Sequence, residues 1–270
     1  MTARVFRDSA ADAGFARDGM LVAPLLDRAS IDAMRAVYDA YPEQHATAFS
    51  ATILSRDLDY RRAVFDTLSR LFAPIAAALL DDYRIFMAGF LSKQPDPNGA
   101  MPMHQDLTLV APAPRPALTI WCPLVDVDLA NGCVEVVRGS HDTNHQPRAA
   151  GTPFAYPELE TTLRAHHAEP VAMRAGQALF LHHSVIHCSP PNASGAERPV
   201  ATAVLAPREA PLVYCHRDEG PPALIEEYAV DEEFYLRHFF GTRPADARLV
   251  AVRPEAVDPL PPGRFASLSP

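Results

Sequence analysis

The chain has 270 residues, 48% of them hydrophobic and 21% charged, with a net charge of −9 and a pI near 5.6. That length can bury one large core, and the composition is that of an ordinary globular protein rather than a disordered one. The acidic balance argues against a nucleic-acid surface, which needs a clustered basic excess, and no apolar run is long enough to predict a membrane span.

The first fourteen residues, MTARVFRDSAADAG, carry charges where a secretory leader would need an apolar centre. Gly19-Met20-Leu21-Val22 reads as a short strand ended by Pro24. Ser30 is positioned to cap a helix in which Ile31, Met34, Tyr38 and Tyr41 recur near helical spacing, with Pro42 as its stop. A second helix is expected from about Tyr60 to Leu80, with Val64, Leu68, Phe72 and Leu79 on one stripe and Pro74 as a kink or break. From Tyr83 the pattern becomes one of strands. These are expected at 83–93, 118–127, 133–137, 177–183 and 199–205, with Gln94 to Gly99 and Asn131-Gly132 as turns. A helical block over about 1–82, then a β core over about 83–206, predicts a mostly β fold with flanking helices: a jelly-roll core within a single domain. Residues 141–170 interrupt the core and could act as a lid. Residues 207–270 form an extension that is proline-rich at first. A helix is expected within it over Ile225 to Phe240, and the last thirty residues are expected to wrap the surface or stay partly loose. Cys122, Cys133, Cys188 and Cys215 form no CxxC pair, which points to reduced, buried thiols in a cytoplasmic protein.

The residues that carry chemistry are His104-Gln105-Asp106, then His187, then Arg198. Side chains two apart on a strand share a side, so His104 and Asp106 project together and Gln105 turns away. Two imidazoles and one carboxylate can occupy one face of an Fe(II) ion and leave the other face open. His187 is the choice for the third ligand, against the neighbouring His182 and His183, because Ser189 and Arg198 follow it. After the loop Pro190 to Gly195 the chain returns as an adjacent strand and brings Arg198 back toward the metal. A guanidinium can grip a carboxylate with two parallel hydrogen bonds, and the Ser189 hydroxyl can complete that grip.

Met103 to Leu107, Trp121, Asn131-Gly132-Cys133, Arg138 to His141, and His187-Cys188-Ser189 with Asn192, Ser194 and Arg198 together resemble the phytanoyl-CoA dioxygenase family. Arg17 to Val22 resembles that family's N-terminal strand, so the likeness covers roughly residues 15–205. It implies a double-stranded β-helix and an Fe(II)/2-oxoglutarate-dependent dioxygenase that consumes O2. His104, Asp106 and His187 would hold the iron, and Arg198 with Ser189 would hold the 2-oxoglutarate C5 carboxylate. Lys93, Gln105 and Trp121 match family positions near cosubstrate or substrate. Cys188 stands where the family has glycine, and Arg138 where it has proline.

The expected reaction is hydroxylation of an unactivated C–H bond of a small molecule, with release of succinate and CO2. Related halogenases lack the carboxylate that Asp106 supplies. Desaturation, ring formation, and a cupin-type metal enzyme without 2-oxoglutarate stay open as alternatives. Arg148, Arg164, His145, His166 and His167 in the 141–170 insertion would suit an anionic substrate, as would Tyr214, His216 and Arg217. Neither nucleic acid nor membrane is expected as a partner, and the oligomeric state is not legible.

Overall fold

The computed structural model describes residues 4–261 and 263–265. Helix α1 (Ser9–Asp18) starts at Asp8, whose carboxylate accepts from the Ala10 and Ala11 amides, and stops at left-handed Gly19. It precedes strand β1 (Met20–Pro24) and was not anticipated. Helix α2 (Arg28–Asp39) is capped by Asp27, which accepts from the Ser30 amide, so Ser30 lies inside the first turn and is not the cap. Strand β2 (Phe49–Ala51) leads to α3 (Leu58–Leu79). Contrary to expectation, α3 runs unbroken through Pro74. Pro74 and Arg70 both lie on the exposed side, so water can take up the Arg70 carbonyl that proline leaves without a donor.

The strands follow: β3 (Tyr83–Lys93), β4 (Met101–His104), β5 (Leu118–Pro123), β6 (Glu135–Val137), and after the short helix α4 (Glu160–His166), β7 (Ala168–Pro170). Then come β8 (Gln177–His182), β9 (Ile186–Ser189) and β10 (Arg198–Pro207). They build two antiparallel sheets. The larger is ordered β1-β8-β5-β10-β3-β2 and the smaller β4-β9-β6-β7, giving the expected mostly β, jelly-roll core with flanking helices.

Alternation along the larger sheet explains what each face does. Leu118, Ile120 and Cys122 of β5, Ala201, Ala203 and Leu205 of β10, and Phe180 of β8 face outward. There they pack under Met34 and Tyr38 of α2 and Val64, Leu68 and Phe72 of α3. Their neighbours in sequence, Trp121, Leu179, Leu181 and Val200, face inward against Cys133, Val134 and Val136. Arg198, Thr202 and Val204 share parity with Val200, so the same alternation turns them into the barrel interior. All four cysteines are buried free thiols.

The extension departs from expectation. Val213–Asp218 is a strand (β11), and the predicted helix is instead strand β12 (Leu224–Ala229) followed by a single helical turn, α5 (Phe234–Arg237). With β13 (Arg248–Pro254) these form a third antiparallel sheet, β11-β12-β13. A register shift between Glu227 and Tyr228 leaves Ile225 and Tyr228 both buried three residues apart. That spacing imitates a helix stripe.

Candidate metal centre and cavity

His104 ends β4 and His187 sits in the middle of β9, and the two are register partners across that antiparallel pair. Their ring centroids lie 4.2 Å apart. Each ring's Nδ1 lies against the backbone carbonyl two residues earlier in its own chain, His104 on Pro102 at 2.8 Å and His187 on Val185 at 3.0 Å. A carbonyl can only accept, so both Nδ1 atoms carry the proton and both Nε2 lone pairs are free. Those Nε2 atoms are 4.0 Å (His104) and 3.8 Å (His187) from Asp106 Oδ1. One ligand atom from each of the three side chains lies within 4.8 Å of the others. The arrangement can take a single metal ion with mixed nitrogen and oxygen ligation, a set that suits iron and leaves positions open.

Electrostatics favour the metal-binding protonation states. Burial, then the neighbouring His187, pulls the His104 imidazolium down to about 4. Burial alone would raise the Asp106 carboxyl, but His187, His183 and His104, with a hydrogen bond from Thr119, outweigh it and hold the group below the usual carboxylate range. Neutral imidazole and ionised carboxylate are what a metal requires. Both side chains stay about a third exposed through the cavity, 32% for His104 and 28% for Asp106, so the site is reachable.

Sequence reasoning missed the residues behind the carboxylate. Thr119 Oγ1 donates to Asp106 Oδ2 at 3.3 Å and lies 3.1 Å from His183 Nε2. Arg148 Nε donates to the Asp106 carbonyl at 2.7 Å, and its other nitrogens bind the carbonyls of Asn144, Gln146 and His183. The signal for Thr119 was its parity with Trp121 on an inward-facing strand. Nothing in the sequence pointed Arg148 to this role, because all its guanidinium's partners but the Ser184 hydroxyl are backbone carbonyls. His183, the rival to His187, contacts the Thr119 hydroxyl rather than joining the ligand cluster, which contains His187.

The second half of the site is a cross-strand pair. Arg198 opens β10 directly opposite Lys93, which closes β3. Arg198 is only 2% exposed, with its guanidinium carbon 5.2 Å above the Trp121 ring. Its Nε and Nη1 are buried without a hydrogen-bond partner among the described residues. Buried guanidinium donors left unpaired are costly, and the planar fork matches a carboxylate. Lys93 Nζ donates to Ser189 Oγ at 2.6 Å and to the Pro190 carbonyl. Burial, then Arg198, lowers the lysine to about 7. Because Ser189 Oγ accepts from Lys93, its own proton is free to point elsewhere. Gly132 makes room for this lysine: its backbone is left-handed (φ +82), and a Cβ there would meet the Pro190 carbonyl oxygen at 2.7 Å and Lys93 Cδ at 3.2 Å.

The candidate metal triad, Trp121, Ser189 and Arg198 all line one cavity of about 440 Å³. Gln105 does not line it. Its amide donates to the Ser184 carbonyl at 2.5 Å and accepts from Asn144 Nδ2 at 3.1 Å. The expectation of a cosubstrate contact from Gln105 is therefore corrected: as the first residue past β4 it turns away from the cavity into a buried network with Ser184 and Asn144. The cationic side chains proposed from residues 141–170 are absent from the cavity wall as well, where only Ala150 represents that segment. Arg148 is spent on backbone carbonyls. Arg164 pairs with Glu135 and Glu160 at the surface. Tyr214 is a core residue bonded to the Thr242 carbonyl, and Arg217 pairs with Glu255.

Comparison with known proteins agrees with this geometry. The family model of phytanoyl-CoA dioxygenase matches residues 13–200. A phytanoyl-CoA dioxygenase of Arabidopsis thaliana is 27% identical over 137 residues, 49% of this chain and 48% of that protein. A phytanoyl-CoA dioxygenase domain-containing protein 1 of Danio rerio is 30% identical over 125 residues, 44% of this chain and 43% of that protein. The chain thus spans about half the length of the curated relatives it matches. Among solved structures, the α-ketoglutarate-dependent carbocyclase SnoK from nogalamycin biosynthesis superposes with a TM-score of 0.58 at 21% identity, over 76% of this chain and 86% of that one. HygX from Streptomyces hygroscopicus, solved with nickel and 2-oxoglutarate, gives 0.55 at 14% identity, over 75% and 88%. These structural likenesses establish the jelly-roll fold, and the sequence match adds the family: the chain belongs to the phytanoyl-CoA dioxygenase family.

Proposed function

We propose that this chain hydroxylates an unactivated C–H bond of a small molecule, with His104, Asp106 and His187 holding iron and Arg198 anchoring the distal carboxylate of 2-oxoglutarate. Family membership brings Fe(II), 2-oxoglutarate and O2 as the reaction's cofactor and cosubstrates. The bound iron supplies O2 activation, with 2-oxoglutarate consumed to succinate and CO2.

The chain's own residues do the positioning. The Pro102 and Val185 carbonyls fix the two imidazole tautomers. Thr119 fixes the carboxylate. Arg198 and the Ser189 hydroxyl form the anchor for a diacid, and Trp121 flanks it. Lys93, lowered to about 7 by burial and then Arg198, orients Ser189 while carrying less than a full charge beside the guanidinium near pH 7.

The observation that carries this reading is the pair of unpartnered Arg198 nitrogens. A metal-dependent enzyme without 2-oxoglutarate would need some other anion to satisfy a buried, unpaired guanidinium at this place on the cavity wall. The test is aerobic turnover with Fe(II) and 2-oxoglutarate over a panel of small acids and their neutral analogues, reading succinate and product mass. A product heavier by one oxygen atom supports hydroxylation. A product lighter by two hydrogens replaces it with desaturation or ring formation, and absence of any succinate contradicts the whole reading.

A further inference from the structure

A second buried guanidinium opens on the same cavity. Arg61, on α3, is 1% exposed and is one of the cavity-lining residues. Its Nη2 donates to the Tyr235 carbonyl at 2.6 Å and the His238 carbonyl at 3.1 Å, at the end of α5. Its Nε and Nη1 are buried without partners among the described residues. No carboxylate among the described residues offsets it: burial is what lowers its pKa. The adjacent Arg62 shows the contrast, paired with Glu233 at the surface.

A buried cation without a counter-charge is expensive. Two of them on one cavity wall, Arg61 and Arg198, call for two anionic groups from outside the chain. Arg198 opens β10 of the larger sheet, lines the same cavity as the metal residues and is assigned above to the cosubstrate. Arg61 enters from the helical layer, among Ile53, Leu54, Leu236 and Phe240, which also line the cavity. We propose that Arg61 binds the substrate, and that the substrate is a compact molecule with an apolar body and one oxyanion group, a carboxylate or a phosphate. The cavity's 440 Å³ falls in the range of about 300–1,000 Å³ typical of small-molecule sites. This assignment rests on the cavity being the oxygenase's substrate site, and it moves the anion contact from residues 141–170 to α3.

Trp121 makes the proposal testable without metal or turnover. It is the chain's single tryptophan and lines the same cavity, so its emission reports occupancy whether or not the iron chemistry operates. Metal-free protein is titrated with decanoate, decyl phosphate and decanol, which share an apolar chain and differ in the head group. The expected result is that at least one anion binds roughly ten-fold or more tighter than decanol, the worth of one charge-assisted hydrogen-bonded contact. Whichever anion binds tighter identifies the oxyanion class. Arg61→Met is expected to erase the preference and Arg198→Met to retain it. Equal affinities in the wild type, no emission change with any of the three ligands, or a preference that survives Arg61→Met overturns the proposal. So does a preference lost in Arg198→Met, which would place the anion at the cosubstrate anchor. Should Arg61→Met fail to fold by circular dichroism, Arg61→Gln retains a donor for the Tyr235 carbonyl without the charge, and the Arg198→Met comparison remains decisive. A failed turnover assay with an intact head-group preference would sink the oxygenase reading and leave the anion site standing.

Discussion

His104 and His187 face each other across a single antiparallel strand pair, and each is held by the carbonyl two residues before it in its own chain. The two rings therefore present matching Nε2 atoms on one side of the sheet, with Asp106 as the third corner. His187→Ala removes a ligand and is expected to abolish stoichiometric Fe(II) binding. Thr119→Val leaves all three ligands but frees the carboxylate, and should weaken Fe(II) affinity by about 10- to 100-fold. Both are read by anaerobic Fe(II) titration. Full-strength binding in His187→Ala would remove that residue from the metal site.

Arg198→Lys keeps a charge but loses the two-pronged grip. The expected outcome is a rise in the KM for 2-oxoglutarate of roughly 10- to 100-fold, with a smaller effect on kcat. Arg198→Met should lose cosubstrate binding altogether while keeping or gaining thermal stability, because it removes an unpaired buried cation. An unchanged KM in Arg198→Lys would mean that the distal carboxylate lies elsewhere.

Acid should destabilise the metal-free protein from the histidine side first. Burial, then His187, holds His104 down at about 4. Burial, then His141 and His183, holds His182 down at about 3. Both titrate near ~6.5 in the unfolded chain. Below that value the unfolded chain takes up protons that the folded chain refuses, so stability falls as pH drops. The contribution is complete above about 6.5 and is progressively lost toward 4 and 3. Melting temperature against pH checks this, and a flat profile between about 6.5 and 5, above the usual carboxylate range, would contradict it.

Phe72 of α3 is fully buried between the helices and the outer face of the larger sheet. Phe72→Ala should cost about 3–5 kcal/mol of stability without changing Fe(II) stoichiometry at a temperature where the variant is folded. Denaturant unfolding reads the first and metal titration the second. A cost well below about 1 kcal/mol would mean that the helical layer is not part of the core.

Much of the site was legible because strand geometry converts spacing into position. His104 and Asp106, two apart at a strand end, needed only the alternation rule, although Asp106 lies just past the end of β4. The strand that carries Arg198 does not return beside β9 as expected: it crosses to the larger sheet, between β5 and β3, and brings Arg198 to the cavity from the opposite wall. The strand at 83–93 was legible because it is apolar along most of its length and lies between β10 and β2. What escaped reading had competing local signals. Ser30 and Asp27 are both good caps, and only backbone direction separates them. A β-bulge at Glu227/Tyr228 imitates helical periodicity in β12. The roles of Arg61, Arg148 and Gln105 depend largely on backbone carbonyls, which leave no trace in residue identity.

The central claim is that a ferrous ion and a diacid meet between the His104/Asp106/His187 triad and Arg198. The most direct measurement is the visible absorption of the anaerobic protein on addition of Fe(II) and then 2-oxoglutarate, in the wild type and in Arg198→Met. A weak charge-transfer band in the wild type that is missing from Arg198→Met at the same cosubstrate concentration is the expected result. No band in the wild type, or an equal band in both proteins, would contradict it.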